Sequence, residues 1–546
     1  MKNIKLIIYS LITLILILNN VAIARTWSLG GSCLRHNSID NTAYFDWHKI
    51  PIVPDRVYGE WECYEKGKKT YLHAWQKDYE NDTFYITQAA LSYAETYKKF
   101  DYLKINGTFD VTMKGLLVES TKKGFLFRFS DNNITIKKLL NLGDVRYAEM
   151  TGKTISVGRD LVAAEDMHVH VKNNMVTKTL STDWESTFTF KSENGGTLET
   201  PSLTVIDSVG NNVYLKITPL LTKDMYVNLG GLNVHANLEI KQLYLPNSAK
   251  LPPKKTVYVS LNPKEDYYCT GSFGERLNHW NPPTKLAVIM NGKGQQHFST
   301  DHSCFTGGVK MLNGTLRFNF NQDRKKYSYK VGNSEDYYDY VCPSTPTHIF
   351  PPTTASHGDL EMIGGTFGSI KNNHSYGAFR FTNIIYTNGT VNLRLAGPDK
   401  MDSIDLTTFY GQYNKYIKKG MYRLDLNEIK GGKISFAKNA KRFYFQFDED
   451  LSWLISDVFN KVNINDGKGA KVISWDNGKN AGLSKDSFAA NLFKSKNGKM
   501  YKPDFTVGNK GLYVKYVPVP EISQITAIIG ALALTFAAIR KRKGKN

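Results

Sequence analysis

Few residues in this chain have the types and spacing that chemistry needs. His168 and His170 lie two apart in Met167-His168-Val169-His170-Val171. On a strand, residues two apart share a face, so both imidazoles point the same way and could begin a metal site. A third ligand must come from elsewhere in the chain, and the sequence does not identify one. If Met167, Val169 and Val171 face inward, the two histidines face solvent. Asp448-Glu449-Asp450 and Asn463-Ile464-Asn465-Asp466-Gly467 supply oxygen ligands, but neither has the fixed ligand positions of an EF-hand loop. Solvated turns are the plainer reading. The chain has no GxSxG elbow, HExxH pair or phosphate-binding loop, and it has no motif for a cofactor. A cysteine with a distant histidine is formally available for nucleophilic catalysis, without any sign that the two meet. No catalytic, cofactor-binding or metal residue is assigned.

The five cysteines, Cys33, Cys63, Cys269, Cys304 and Cys342, have no CxxC spacing. An odd count leaves at least one unpaired. Buried thiols and structural disulfides both remain open.

The elements that must position such groups are short strands. From Tyr102 to about Leu245, runs of alternating apolar residues recur between Gly, Asn and Asp. They include Phe125-Leu126-Phe127-Arg128-Phe129, Ile134-Thr135-Ile136, Thr154-Ile155-Ser156-Val157, Phe188-Thr189-Phe190 and Val213-Tyr214-Leu215-Lys216-Ile217. Period two marks half-buried strands, and turn residues at short intervals mark many of them. The fold class is therefore all-β: a sandwich, a barrel or a solenoid. A solenoid suits a long series of similar strands, each burying its face against its neighbours.

Pro252-Pro253 suggests a break near 246–282. The Tyr-, Asp- and Pro-rich stretch 333–356 suggests an exposed insertion. Residues 25–101 are rich in aromatics, including Trp27, Trp47, Trp61 and Trp75. They read as an irregular N-terminal cap with one helix over Thr87–Lys99. A sugar-stacking role for these rings is a further option.

Both termini carry export features. Lys2 and Lys5 precede an apolar core, Leu6 to Leu18, and then the small-x-small site Ala22-Ile23-Ala24. This is the pattern of a cleavable secretory signal over 1–24, with signal peptidase acting after Ala24; an uncleaved anchor is the alternative. At the other end, 517–546 has Pro518, Pro520 and Glu521, then the uncharged run Ile525–Ile539. The basic cluster Arg540, Lys541, Arg542, Lys543 and Lys545 follows. The run is short against the roughly 20 apolar residues of a spanning helix. The cluster would stay on the cytoplasmic side as a stop-transfer signal.

This tripartite tail resembles the PEP-CTERM sorting signal of bacterial surface proteins. Pro520 and Glu521 match the first two positions of the motif, and the third is Ile522 rather than Pro. The resemblance implies a tail held in the inner membrane and cut near Pro520 by an exosortase. The body would then be released to the cell surface or an extracellular polysaccharide matrix. An ordinary tail anchor, never cut, is the plainer alternative. Within the body, Phe305-Thr306-Gly307-Gly308-Val309-Lys310-Met311-Leu312-Asn313-Gly314-Thr315-Leu316 resembles the autotransporter-associated β-strand repeat. Gly358–Gly368 carries a looser echo of it. That resemblance implies a right-handed parallel β-helix over 102–516, without necessary chemistry.

The formal net charge is +20. Seven of the positive charges, Lys2, Lys5, Arg540, Lys541, Arg542, Lys543 and Lys545, lie in the terminal segments. The bias left on the body suits an acidic exopolysaccharide or an anionic surface. There is no dense basic helix and no zinc-finger spacing, so nucleic acid is not expected. The expected function is an exported, non-enzymatic surface or matrix protein. Its partners would be signal peptidase, an exosortase and the inner membrane through a single C-terminal hydrophobic helix. The alternative is a secreted polysaccharide lyase or hydrolase on the same scaffold. Carboxylates facing Lys or Arg across neighbouring strands would favour that alternative.

Overall fold

The computed structural model describes most of residues 102–318, 358–408, 431–455 and 464–520. It also describes short segments within 26–86, 327–348 and 532–540. The expected helix Thr87–Lys99 and the Pro252-Pro253 pair lie outside the described residues. The chain divides into two compact units. One comprises 1–321, 349–361 and 410–427; the other comprises 322–348, 362–409 and 428–546.

Strand dominates both units, and most of the pairing is parallel. In the first unit the alternating runs stack in register. Tyr102, Gly124, Tyr147, Asp166, Thr187 and Tyr214 occupy successive places along one parallel ladder. The ladder continues through Ala236–Ile240 to Phe273–Glu275. A second parallel ladder runs from Val111 through Ile134, Ile155, Met175 and Leu198 to the strands Met225–Leu229, Lys255–Leu261, Thr284–Met290 and Gly308–Met311. A third stacks Leu116, Leu140, Leu161, Leu180 and Leu203. The second ladder continues across 246–282 by way of Lys255–Leu261 to Thr284–Met290, and the first ends within that region at Phe273–Glu275.

The long strands Thr121–Asn141 and Val145–Val162 contribute to all three ladders. Their register shifts, between Gly152 and Thr154 for example, mark where the chain passes from one ladder to the next.

Period two explains what is buried. In the first ladder Phe125, Ala148, Met167, Phe188, Leu215 and Leu238 form one inward column. Ile105, Phe127, Met150, Val169, Phe190 and Ile217 form the next; all twelve are essentially inaccessible. Burying each large apolar side chain contributes about 1.5–3 kcal/mol. Small residues follow large ones, Ala148 after Phe125 and Gly152 after Phe129, so the rings pack without overfilling the interior.

Corners are held by backbone proximity and short polar side chains. A Cβ on Gly196 would lie 1.5 Å from the Asn173 carbonyl oxygen. Nearby, the Gly196 amide donates to Ser192 Oγ at 2.8 Å, and Ser192 Oγ donates to the Asn173 carbonyl at 2.9 Å. Gly308, which follows Gly307 and opens the strand Gly308–Met311, has φ 93°, in the left-handed region that favours glycine.

Within the N-terminal stretch read as irregular, the described segments are mostly short strands, such as Trp61–Glu65 paired antiparallel with Lys68–Leu72. Thr42–Asp46 joins the foot of the first ladder in parallel. At three to five residues, such strands are too short for alternation to stand out. Of 333–356, the described pieces are Tyr337–Tyr340, paired antiparallel with Tyr327–Lys330, and Thr347–His348.

In the second unit, Thr366–Ser369, Thr390–Gly397, Phe443–Asp448 and Phe488–Ala490 form one parallel series. Gly377–Arg380, Ser403–Leu406 and Ala470–Trp475 form another. The second series ends in an antiparallel hairpin. Gly511–Pro518 lies against Ala470–Trp475, and Met500–Gly508 folds back on it. The 532–536 segment is helical, with exposed side chains. No helix among the described residues is long and apolar enough to cross a membrane.

Candidate functional site

The outward face of the first ladder collects charged and aromatic side chains from five strands. Alternation forces this: with Ala148, Met150, Met167, Val169, Phe188 and Phe190 inward, Tyr147, Glu149 and Thr151 must face out. So must Asp166, His168 and His170, and then Thr189 and Lys191. The register places Glu149 beside His168 and Thr151 beside His170. It also places His168 beside Thr189 and His170 beside Lys191. Arg128 faces this group from the strand before, and Tyr214 and Lys216 from the strand after.

Glu149 is the centre of the group. Arg128 Nε donates to its Oε1 at 2.8 Å and Arg128 Nη2 donates to its Oε2 at 2.9 Å. The Thr151 hydroxyl donates to Oε1 at 3.2 Å. The Glu149 side chain is 14% exposed and that of Arg128 36%, so the carboxylate is sheltered and the guanidinium is half open to solvent. Burial resists ionisation of Glu149. Arg128 favours it by hydrogen bonding and by charge, with smaller help from His170 and Thr151, and the net effect holds the carboxyl below its usual range. This carboxylate is locked in its ionised, two-pronged pair.

The two histidines have different surroundings. His168 Nε2 lies 3.1 Å from Asp166 Oδ1, and its ring packs against Tyr147 with centroids 5.3 Å apart. The His170 ring meets it edge-on at 6.5 Å. Burial pulls the His170 imidazole below its ordinary value. Glu149 opposes this shift, while Lys191, His168 and Arg128 reinforce it. His170 is therefore neutral at neutral pH, an imidazole able to accept a proton. On the next strand but one, Lys216 Nζ sits 5.5 Å from the centroid of the Tyr214 ring. Chemically, the face offers a neutral base, fixed cations and aromatic ring faces in one strip.

In the sequence His168 and His170 share one strand face, outward if Met167, Val169 and Val171 point inward, as they do; the rest of this group does not stand out there. Arg128, Glu149 and Lys191 sit in separate runs. Only the strand register brings them together, and their one sequence signal is a charge at an outward position between buried apolar residues. Among the described residues, no group of three or more His, Cys, Asp or Glu side chains is placed to hold a metal ion.

The other oxygen-rich segments have local uses. Asp448 Oδ2 accepts from Asn392 Nδ2 at 2.8 Å, and Asp450 Oδ1 accepts from the Ser452 amide at 3.0 Å, capping the helical turn Leu451–Leu454. Asn465, Asp466 and Gly467 form a left-handed turn, with φ of 50°, 58° and 74°. Cys269 is buried at the end of its strand, and the side chains of the other four cysteines lie outside the described residues. Pro520 is exposed just beyond the closing hairpin, and Arg540 is exposed. The remaining sorting and stop-transfer residues, Glu521, Lys541, Arg542 and Lys543, and the signal-peptidase site Ala22 and Ala24 lie outside the described residues.

Compared with protein-family models and with curated proteins, the chain matches none.

Proposed function

We propose that this chain is an exported surface or matrix protein whose body is a right-handed parallel β-helix, delivered by its N-terminal signal and held or sorted by its C-terminal tail. The observation that supports the body is the three parallel ladders of the first unit, which the chain visits in turn. Parallel strands of one sheet need crossover connections, and these are right-handed in about 98% of cases. A stack built this way displays long rows of outward side chains and needs no enclosed pocket, which suits adhesion or envelope structure. The exposed Pro520, two residues past the last strand, suits access by an exosortase.

The test is the mass and terminal sequence of the protein from cell fractions and medium. The expected species begins at Arg25, ends near Glu521 and lies outside the cytoplasm. A chain that retains Arg540–Asn546 and stays in the inner membrane overturns sorting and leaves a tail-anchored protein. A cytoplasmic chain that retains residues 1–24 overturns export altogether.

A second reading, a secreted polysaccharide lyase or hydrolase, is favoured by one observation. Glu149, Arg128, His170 and Lys191 meet on one face from four strands, and a neutral imidazole is a competent general base. This reading expects new chain ends when the protein is incubated with uronate polysaccharides, and their loss in His170→Gln. Intact polymer after prolonged incubation would rule it out.

A further inference from the structure

The outward strip of the first ladder has more cationic capacity than its own acids use. Facing His170 are Asp166 and His168 from its own strand, and Tyr147, Glu149 and Thr151 from the strand before. Arg128 faces it from one strand further back, and Thr189 and Lys191 from the strand after. Tyr214 and Lys216 lie one strand beyond. Glu149 is committed to Arg128, and Asp166 lies against His168. Lys191 is exposed and Lys216 half-buried. No ion pair with an acid is seen for Lys191 among the described residues; Lys216 stands beside Glu239 in register, and the Glu239 side chain lies outside the described residues.

From the strand of Arg128 to that of Lys216 there are four strand spacings, about 19 Å in all at roughly 4.8 Å each. Cationic or protonatable groups recur along that line. The rings of Tyr147 and Tyr214 stand in one register column at its border, with Asp166 and Thr187 between them. A small anion would need one convergent nest, whereas this strip repeats charge and ring faces at strand intervals. That spacing suits an extended polymer bearing a carboxylate on successive units. Sugar rings would pack on the tyrosines, and their carboxylates would meet Lys191, Lys216 and the histidines.

We propose that this strip binds a carboxylated polysaccharide chain lying across the strands of the first ladder. The proposal rests on the reading of the protein as an exported matrix component and names the chemistry of its partner. Glu149 has a positioning role: by holding Arg128 it fixes one border of the strip. Binding carries a proton requirement. His170 is neutral in the free protein, and a bound polyanion favours its charged form. Protons are therefore taken up on binding, and affinity rises as pH falls below the ordinary histidine value, since burial holds the free His170 under it.

The test uses the full chain, with polygalacturonate as probe and neutral dextran as control, at low ionic strength and at about pH 5.5 and about pH 8. The expected result is binding to polygalacturonate alone, tighter at the lower pH. Lys191→Gln with Lys216→Gln should weaken it by about tenfold or more, and His170→Gln should flatten the pH dependence. Lys438→Gln with Lys441→Gln removes the same charge from exposed positions in the other unit and should leave binding nearly unchanged. Equal losses from the two lysine pairs would show that net charge alone is responsible and overturn the site. Equal binding of dextran, or no binding at either pH, would overturn the ligand class. A chain that is exported but fails these tests leaves the proposed function standing; a chain that binds but is never exported does the reverse.

Discussion

At the scale of single residues, the second unit departs furthest from what alternation implies. In Val391-Asn392-Leu393-Arg394-Leu395, period two puts Asn392 and Arg394 on an outward face, yet both are buried. Asn392 Nδ2 donates to Asp448 Oδ2 on the neighbouring strand, at 2.8 Å. Arg394 Nε and Nη2 donate to Asp402 Oδ2 and Oδ1 at 2.8 and 3.0 Å, and both side chains are fully inaccessible. The amides of Arg394 and Gly377 also donate to this carboxylate, at 3.0 and 3.2 Å, and the Tyr376 ring stacks 4.7 Å from the guanidinium carbon. Removing one partner strands the other charge in a dry interior. Asp402→Asn should therefore cost about 3–5 kcal/mol of stability, whereas replacing both residues, with Arg394→Met and Asp402→Leu, should recover only part of the loss, because two buried amides still lose their acceptor. Denaturation followed by hydrogen exchange of peptides from this unit measures both variants. A loss below about 1 kcal/mol for Asp402→Asn would mean that water reaches the pair.

At the scale of elements, the parallel series of the second unit is closed by a strand of opposite direction. Met500–Gly508 pairs with Gly511–Pro518 on one side. On its other side, among the described residues, only Tyr501 and Met500 are paired, with Phe493 and Lys494. The open remainder carries Lys502, Pro503 and Asp504. Proline offers no amide donor, and charges beside it discourage a second chain from adding there. Lys502→Thr with Pro503→Val should promote concentration-dependent self-association relative to the parent chain, as measured by sedimentation velocity. Unchanged sedimentation across the concentration range would show that these residues do not guard the edge. Strand existence was legible at this scale: Phe125–Phe129, Met167–Val171 and Val213–Ile217 alternate cleanly and lie in strands. The very short N-terminal strands were not legible, because three to five residues give alternation too few repeats to register.

At the scale of the whole molecule, an all-β body of many strands was legible, and the partners of each strand were not. The linking segments differ in length: Asp166–Val171 and Thr187–Ser192 are closer in sequence than Thr187–Ser192 and Val213–Thr218, yet both pairs are adjacent in the ladder. No fixed period survives such variation, so the columns that build the strip around Glu149 cannot be read off the chain. The histidine pair was visible because one strand carries both members. Arg128, Glu149 and Lys191 each belong to a different strand and acquire meaning only through register. Division of the chain after Asn321 was equally hidden, since the composition near Pro252 is the more abrupt.

The closing hairpin also sets how the protein would bear a load. If the tail is held in a membrane while the body grips a polymer, tension enters at Val519, whose amide donates to the Met500 carbonyl at 2.9 Å. A pull along the last strand strains its eight paired positions with Met500–Gly508 and its four with Ala470–Trp475 at once. A pull across it opens them one after another from Pro518. Rupture under force follows the unfolding rate rather than equilibrium stability. The same anchor would then resist drag in one direction and peel readily in another.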